Sequence, residues 1–212
     1  GYLDADTFIS PASYDVARLA AGSCVDLAMR IASGELDTGF AALRPPGHHA
    51  ESRAAMGFCL FNSVAVTARA LQQHAGIEKV LIFDWDVHHG NGSQHSFESD
   101  PSILYMSTHQ FPFYPGTGAA GESGLGMGLG STFNVPMPQG CGDFEYLGVM
   151  QHLIAPVALE FDPDFILVSC GFDAHEADPL GSMNITANGF HAMTQIMQEV
   201  AGSACGGRIA YV

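Results

Sequence analysis

The chain has 212 residues, 47% of them hydrophobic, and sets 7 Lys plus Arg against 22 Asp plus Glu for a formal charge of −15. That length supplies one sizeable core and points to a single domain over residues 1–212. So negative a field repels phosphate backbones and argues against direct nucleic-acid binding, while it attracts cationic partners such as a basic peptide tail or a polyamine.

No basic-then-apolar leader and no long apolar run is present, so neither secretion nor a membrane role is expected. Cys24, Cys59, Cys141, Cys170 and Cys205 are dispersed, with no C-x-x-C pair. Such cysteines read as buried small hydrophobes in a reducing, cytoplasmic protein; a nucleophile at Cys59 or Cys170 is the minor alternative. The chain starts without Met and ends in the strand-like Arg208–Val212, so both ends are expected to be cuts through a larger domain.

Ser10-Pro11 predicts a helix start, with Ser10 as its cap. The rhythm Tyr14, Ala17, Ala20, Cys24, Leu27, Ile31 carries that helix to Gly34. Gly39–Leu43 then reads as a buried strand. It empties into Arg44-Pro45-Pro46-Gly47-His48-His49-Ala50-Glu51, a stiff loop presenting two adjacent histidines. Adjacent side chains share a face only where the backbone is irregular. The pair is either idle at the surface or, beside a metal site, the source of a general base, since imidazole titrates near neutrality. Gly57 and Phe58 follow, Phe58 being a pocket wall or ordinary core. Leu60–His74 is helical in rhythm through Phe61, Val64, Ala65, Ala68 and Leu71.

The strand Lys79–Phe83 leads into Asp84-Trp85-Asp86-Val87-His88-His89-Gly90-Asn91-Gly92. Alternate side chains on an extended segment point the same way, so Asp84, Asp86 and His88 form one polar set and Trp85 and Val87 face the other side. Such oxygen and nitrogen donors suit a borderline divalent ion such as zinc. Residues 92–99 predict a short helix and Ser102–Ser107 a strand, whose exit through Phe113 and Tyr114 to Gly130 is a long loop. Its aromatics either line a substrate channel or pin the loop down. Thr132–Pro136 predicts an edge or irregular segment.

Asp143 opens a helix with Phe144, Leu147, Met150, Leu153, Ile154 and Val157 on one face, and the apolar strand Asp164–Ser169 delivers Gly171 and Asp173. Asp86, His88 and Asp173 as three ligands leave a fourth position open, the composition of a catalytic site. Thr186 caps a last helix through Phe190, Met193, Ile196 and Val200, before the strand at Arg208–Val212. Helices alternating with short apolar strands predict an α/β fold, a mostly parallel sheet with helices on both faces and ligands at the carboxyl ends of its strands.

Five blocks, Arg44–Glu51, Gly57–Cys59, Asp84–Gly92, Tyr114–Gly118 and Gly171–His175, together resemble the zinc-dependent histone deacetylase family. The wording of Asp84–Gly92 is similar to class II enzymes and to bacterial amidohydrolase and acetylpolyamine amidohydrolase relatives. The resemblance implies the arginase/deacetylase fold, truncated at both ends, and hydrolysis of acetyl or acyl amides of protein lysines or of acetylated polyamines. It implies zinc (Zn2+) on Asp86, His88 and Asp173. His48 would bond the reacting water and be oriented by Asp84, and His49 would be the general base, held by Asn91. Gly57, Phe58, Phe113, Tyr114 and Gly171 would form the acyl-lysine channel, and potassium (K+) would be held through groups of Asp84, Asp86, His88, Ser107 and Thr108.

The family's oxyanion-binding tyrosine follows a Gly-Gly after the strand downstream of the last helix. This chain stops at Val212, and Tyr211 lies inside the strand, so that role is not assigned to it. An inactive zinc- or acyl-lysine-binding module therefore stays open as a reading. An arginase-like two-manganese site is disfavoured, because it wants more bridging carboxylates than Asp84, Asp86 and Asp173 offer.

Overall fold

In the computed structural model, which describes residues 1–212, the strands are β1 (Thr38–Phe40), β2 (Val80–Asp84), β3 (Ile103–Gln110), β4 (Thr132–Met137), β5 (Phe165–Ser169) and β6 (Ile209–Tyr211). They form one sheet in the order β1-β6-β5-β2-β3-β4, parallel at every pairing. All carboxyl ends therefore emerge at one edge, where ligands collect in such sheets.

Residue alternation within the central strands sorts the core into two. Leu81 and Phe83, Leu104 and Met106, Ile166 and Val168 face α4 (Asp143–Val149), α5 (Ala155–Phe161) and α6 (Ala187–Ala204). Val80 and Ile82, Ile103 and Tyr105, Phe165 and Leu167 face α1 (Ser13–Ala32), α2 (Ser63–His74) and α3 (Asn91–Phe97). A strand apolar on both sides must be covered on both sides, and the parallel sheet between helical layers is the result. No helix is long and apolar enough to cross a membrane.

Several elements depart from expectation for identifiable reasons. α1 starts at Ser13 without a side-chain cap, and Ser13 Oγ accepts from the Ser10 N–H at 2.9 Å, closing a turn ahead of the helix. β1 is a three-residue edge strand with Phe40 55% exposed, so Gly39–Leu43 is not a buried strand. α2 begins after Phe61, at Ser63, because Asn62 is the cap and accepts from the Ala65 N–H at 3.0 Å. β3 runs on through Thr108, His109 and Gln110, whose side chains are buried among the loops rather than belonging to one.

On α4–α5 the buried face is Tyr146, Met150, Ile154 and Ala158, and Phe144 is 87% exposed. A strict four-residue spacing drifts around a helix of 3.6 residues per turn. A π-helical turn at Met150–Ile154 widens the helix there and keeps the four in line. β4 is the edge strand that Pro136 required.

Candidate metal centre and active site

β2 lies in the middle of the sheet, and its last residue, Asp84, pairs with Ser107 on one side and Ser169 on the other. Alternation continues past the strand end, with Trp85 and Val87 in the core and Asp86 and His88 partly exposed. Backbone amides lock this bend: Asp86 N–H donates to Asp84 Oδ1 at 3.2 Å and His88 N–H to Asp86 Oδ1 at 2.8 Å. Val87 N–H donates to Asp173 Oδ1 at 2.8 Å, which stitches the loop after β5 to the loop after β2.

Three of the expected residues meet there. His88 Nδ1 lies 3.1 Å from Asp86 Oδ1 and 2.9 Å from Asp173 Oδ2, and one ligand atom from each residue falls within 4.8 Å of the others. A Cβ on Gly171 would run into Asp86 Oδ2, so that glycine reserves the carboxylate's place. Burial opposes charge on His88, but its bonds and attraction to Asp173 and Asp86 prevail and push it up to about 10. Burial and the neighbouring Asp86 push the Asp173 carboxyl up. Two crowded carboxylates and an imidazole are a donor set that a divalent cation relieves, and the Asp/His/Asp composition fits zinc.

His48 and His49 sit in an irregular turn, and their ring centroids are 3.9 Å apart. Ser93 N–H donates to His48 O at 3.1 Å, tying this turn to α3. His48 Nδ1–H donates to the fully buried Asp84 Oδ2 at 3.0 Å, and its Nε2 lies 3.8 Å from Asp86 Oδ2. Although burial works against it, the charges of Asp86 and Asp84 push His48 up to about 9. His49 Nδ1–H donates to Asn91 Oδ1 at 2.8 Å. Burial, then the charge of His48, pushes His49 down to about 2, so its ring is neutral.

The aromatic residues divide. Phe113 stacks on His88 with centroids 5.2 Å apart, and Tyr114 meets His49 edge-on at 5.1 Å. Phe58 has φ 66 and is 53% exposed, so it is not core. Gly57 lets the backbone lie against the His49 ring, where a Cβ would collide. A cleft of about 580 Å³ adjoins the cluster, with His48, Asp86, Gly171 and Phe58 in its wall.

Of the oxygens implied for potassium, Thr108 Oγ1 is buried without a protein partner, whereas Ser107 Oγ bonds His109 Nδ1 at 2.9 Å. The Cys59 and Cys170 thiols are both pushed up to about 12 by burial, which removes the nucleophile reading. Tyr211 is in the core with its ring centroid 6.0 Å from that of Trp85, consistent with the role withheld from it.

Sequence reasoning left other polar residues without a role. His89 turns away from the cluster; its Nε2–H donates to Gln94 Oε1 at 2.9 Å and its Nδ1 accepts from Thr117 at 2.8 Å. Gln94 donates on to Glu122 at 2.7 Å. Glu51, quoted only as part of a motif, touches Asn91 and His95. The available signal was position: His89 is one residue out of step with the alternation of Asp84, Asp86 and His88.

The sequence matches the Histone deacetylase domain family over residues 1–212. Histone deacetylase 15 of Arabidopsis thaliana is 49% identical over 215 residues, covering 100% of this chain and 38% of that protein. Histone deacetylase 7 of Homo sapiens is 51% identical over 201 residues, covering 91% of this chain and 21% of that protein. The crystal structure of the HDA15 HD domain superposes with a TM-score of 0.93 at 49% identity, over 100% of this chain and 61% of the other. The chain belongs to the histone deacetylase family and has its arginase/deacetylase fold. It spans well under half the length of these curated relatives.

Proposed function

We propose that the protein containing this chain is a zinc-dependent amidohydrolase that removes acetyl or other acyl groups from acyl-lysine in proteins, with acetylated polyamines as the alternative substrate. The observation that carries this reading is the convergence of Asp86, His88 and Asp173 beside the imidazole of His49, whose Nδ1 is held by Asn91. Zinc bound by those three residues would polarise the amide carbonyl and lower the pKa of a water.

The remaining steps belong to the protein's own side chains. His49 takes the attacking water's proton at Nε2, since Nδ1 already donates to Asn91, and returns it to the leaving amine nitrogen. His48, fixed by its Nδ1–H bond to Asp84, turns Nε2 to the reacting water and helps to orient it. Phe58 and Tyr114 flank the extended acyl-lysine arm and keep water from it, with Gly57 and Gly171 making room at the base. The acidic surface favours a cationic substrate. Potassium beneath the site, near Asp84 and Thr108, and a reducing cytoplasmic setting for the five free cysteines belong to the same proposal.

The test is metal analysis and turnover of the full-length protein, with acetyl-lysine peptide and acetylpolyamine assayed side by side. About one zinc per chain is expected, with peptide deacetylation lost in His88→Ala. Preference for the polyamine would move the substrate assignment. Zinc and acetyl-lysine binding without turnover of either compound would make the domain a binding module.

A further inference from the structure

An amide's oxygen and nitrogen are nearly equal in size, so packing alone does not decide which end of Asn91 faces His49. The choice sets the imidazole tautomer. With Oδ1 toward the ring, His49 carries its proton on Nδ1 and leaves Nε2 free to accept. With Nδ2 toward the ring, Nδ1 must accept instead, and the proton moves to Nε2, which then cannot act as a base.

Asn91 is 3% exposed, so water does not settle the matter. Its Nδ2 is surrounded by acceptors: Glu51 Oε1 at 2.5 Å, the His49 carbonyl at 3.3 Å and Met56 Sδ at 3.4 Å. A flipped amide would aim its own oxygen at a carboxylate, a carbonyl and a thioether. Of the three, only Glu51 carries a charge, and a like-signed contact with a 26% exposed carboxylate is the costliest of these mismatches. The same Glu51 Oε1 accepts from His95 Nδ1 at 2.8 Å, so the carboxylate is anchored from the surface as well.

We propose that Glu51 is a positioning residue that fixes the orientation of the Asn91 amide and so holds His49 in the Nδ1–H tautomer, with His95 as its outer anchor. The inference deepens the proposed function, since it rests on His49 acting through Nε2. It also has an internal control. A carboxylate at position 91 has no donor end to misplace and would select the same tautomer unaided, so Glu51 is needed only while position 91 is an amide.

The experiment compares Glu51→Gln, Asn91→Asp and the double variant in the full-length protein. The amide that Glu51→Gln introduces can accept or donate, so the lock is lost, and kcat should fall about tenfold with little change in KM. In the Asn91→Asp background the same change should cost nothing or raise kcat, because it relieves two facing carboxylates. Nitrogen NMR of His49 in zinc-free protein supplies a readout independent of turnover: Nδ1–H in the native chain, a tautomer mixture in Glu51→Gln. Glu51→Asp, which keeps the charge but withdraws it, should give a smaller admixture. Equal losses in both backgrounds, or a native spectrum in both Glu51 variants, would overturn the proposal. An inactive native protein would sink the enzyme reading alone, with the spectra still deciding on Glu51.

Discussion

His48-His49 and His88-His89 are the same dipeptide on two different backbones. The first occupies a turn, so both rings face the cluster at 3.9 Å from each other. The second follows the bend after β2, where burial still alternates, so His88 enters the cluster and His89 faces a buried network behind it. In each pair one ring is held by carboxylate and the other by uncharged groups. Burial pushes all four down, but His48 beside Asp86 and Asp84 ends near 9, and His88 between Asp173 and Asp86 ends near 10. His49 on Asn91 and His89 on Gln94 and Thr117 fall to about 2 and about 3. In the metal-free chain the partner, not the depth, sets the direction in which each histidine shifts.

The largest expected effect separates the members of the second pair. His88→Ala should abolish zinc binding and lower activity by more than about 100-fold, beyond what loss of an outer-shell partner costs. Metal analysis and turnover of the full-length protein check this. Asp84→Asn comes next: it withdraws one of two carboxylates from His48, so in zinc-free protein His48 should titrate below 9, and activity of the zinc-loaded protein should fall by about 10–100-fold. An NMR titration in which His48 stays near 9 would break the rule that the carboxylate sets its charge. His89→Ala should leave zinc in place and cost about 1–3 kcal/mol in urea unfolding, because Thr117 and Gln94 lose a buried partner. Equal metal loss in His88→Ala and His89→Ala would erase the distinction between the two rings.

The parts of the molecule legible in the sequence were those governed by local pattern. The strands Val80–Asp84 and Phe165–Ser169 are unbroken apolar runs, Asp86 and His88 follow a period of two beyond the first, and Asp173 follows the end of the second. The roles of the two His48-His49 rings were open on spacing alone, because an irregular turn carries no period; family resemblance supplied them, and the 3.9 Å ring separation is the geometry a turn permits. The exposed face of α4 misled because the π-turn changes the helical count midway, and local sequence does not announce such a turn. The network of His89, Gln94 and Glu122 was invisible because its members are joined only by the folding of the 111–131 loop onto β3.

His109 extends the rule outside both pairs and offers the smallest, most selective test. Its ring lies 4.8 Å from that of His89, its Nε2–H donates to Gly118 O at 2.9 Å, and its Nδ1 accepts from Ser107 at 2.9 Å. Without a carboxylate bond, burial pushes it down to about 4. The unfolded chain therefore binds a proton near pH 6.5 that the native chain refuses until about pH 4. Stability from this ring is fully present above the unfolded value and falls as pH drops through that window, by up to about 1.4 kcal/mol per pH unit. His109→Gln keeps a donor for Gly118 O and removes the titration. In zinc-free protein, where ligand protonation does not couple to metal release, urea unfolding between about pH 6 and pH 4.5 should show a shallower decline for the variant by about that slope. Parallel declines would mean that His109 already carries its proton in the native state, and that burial without a carboxylate partner does not keep a histidine neutral here.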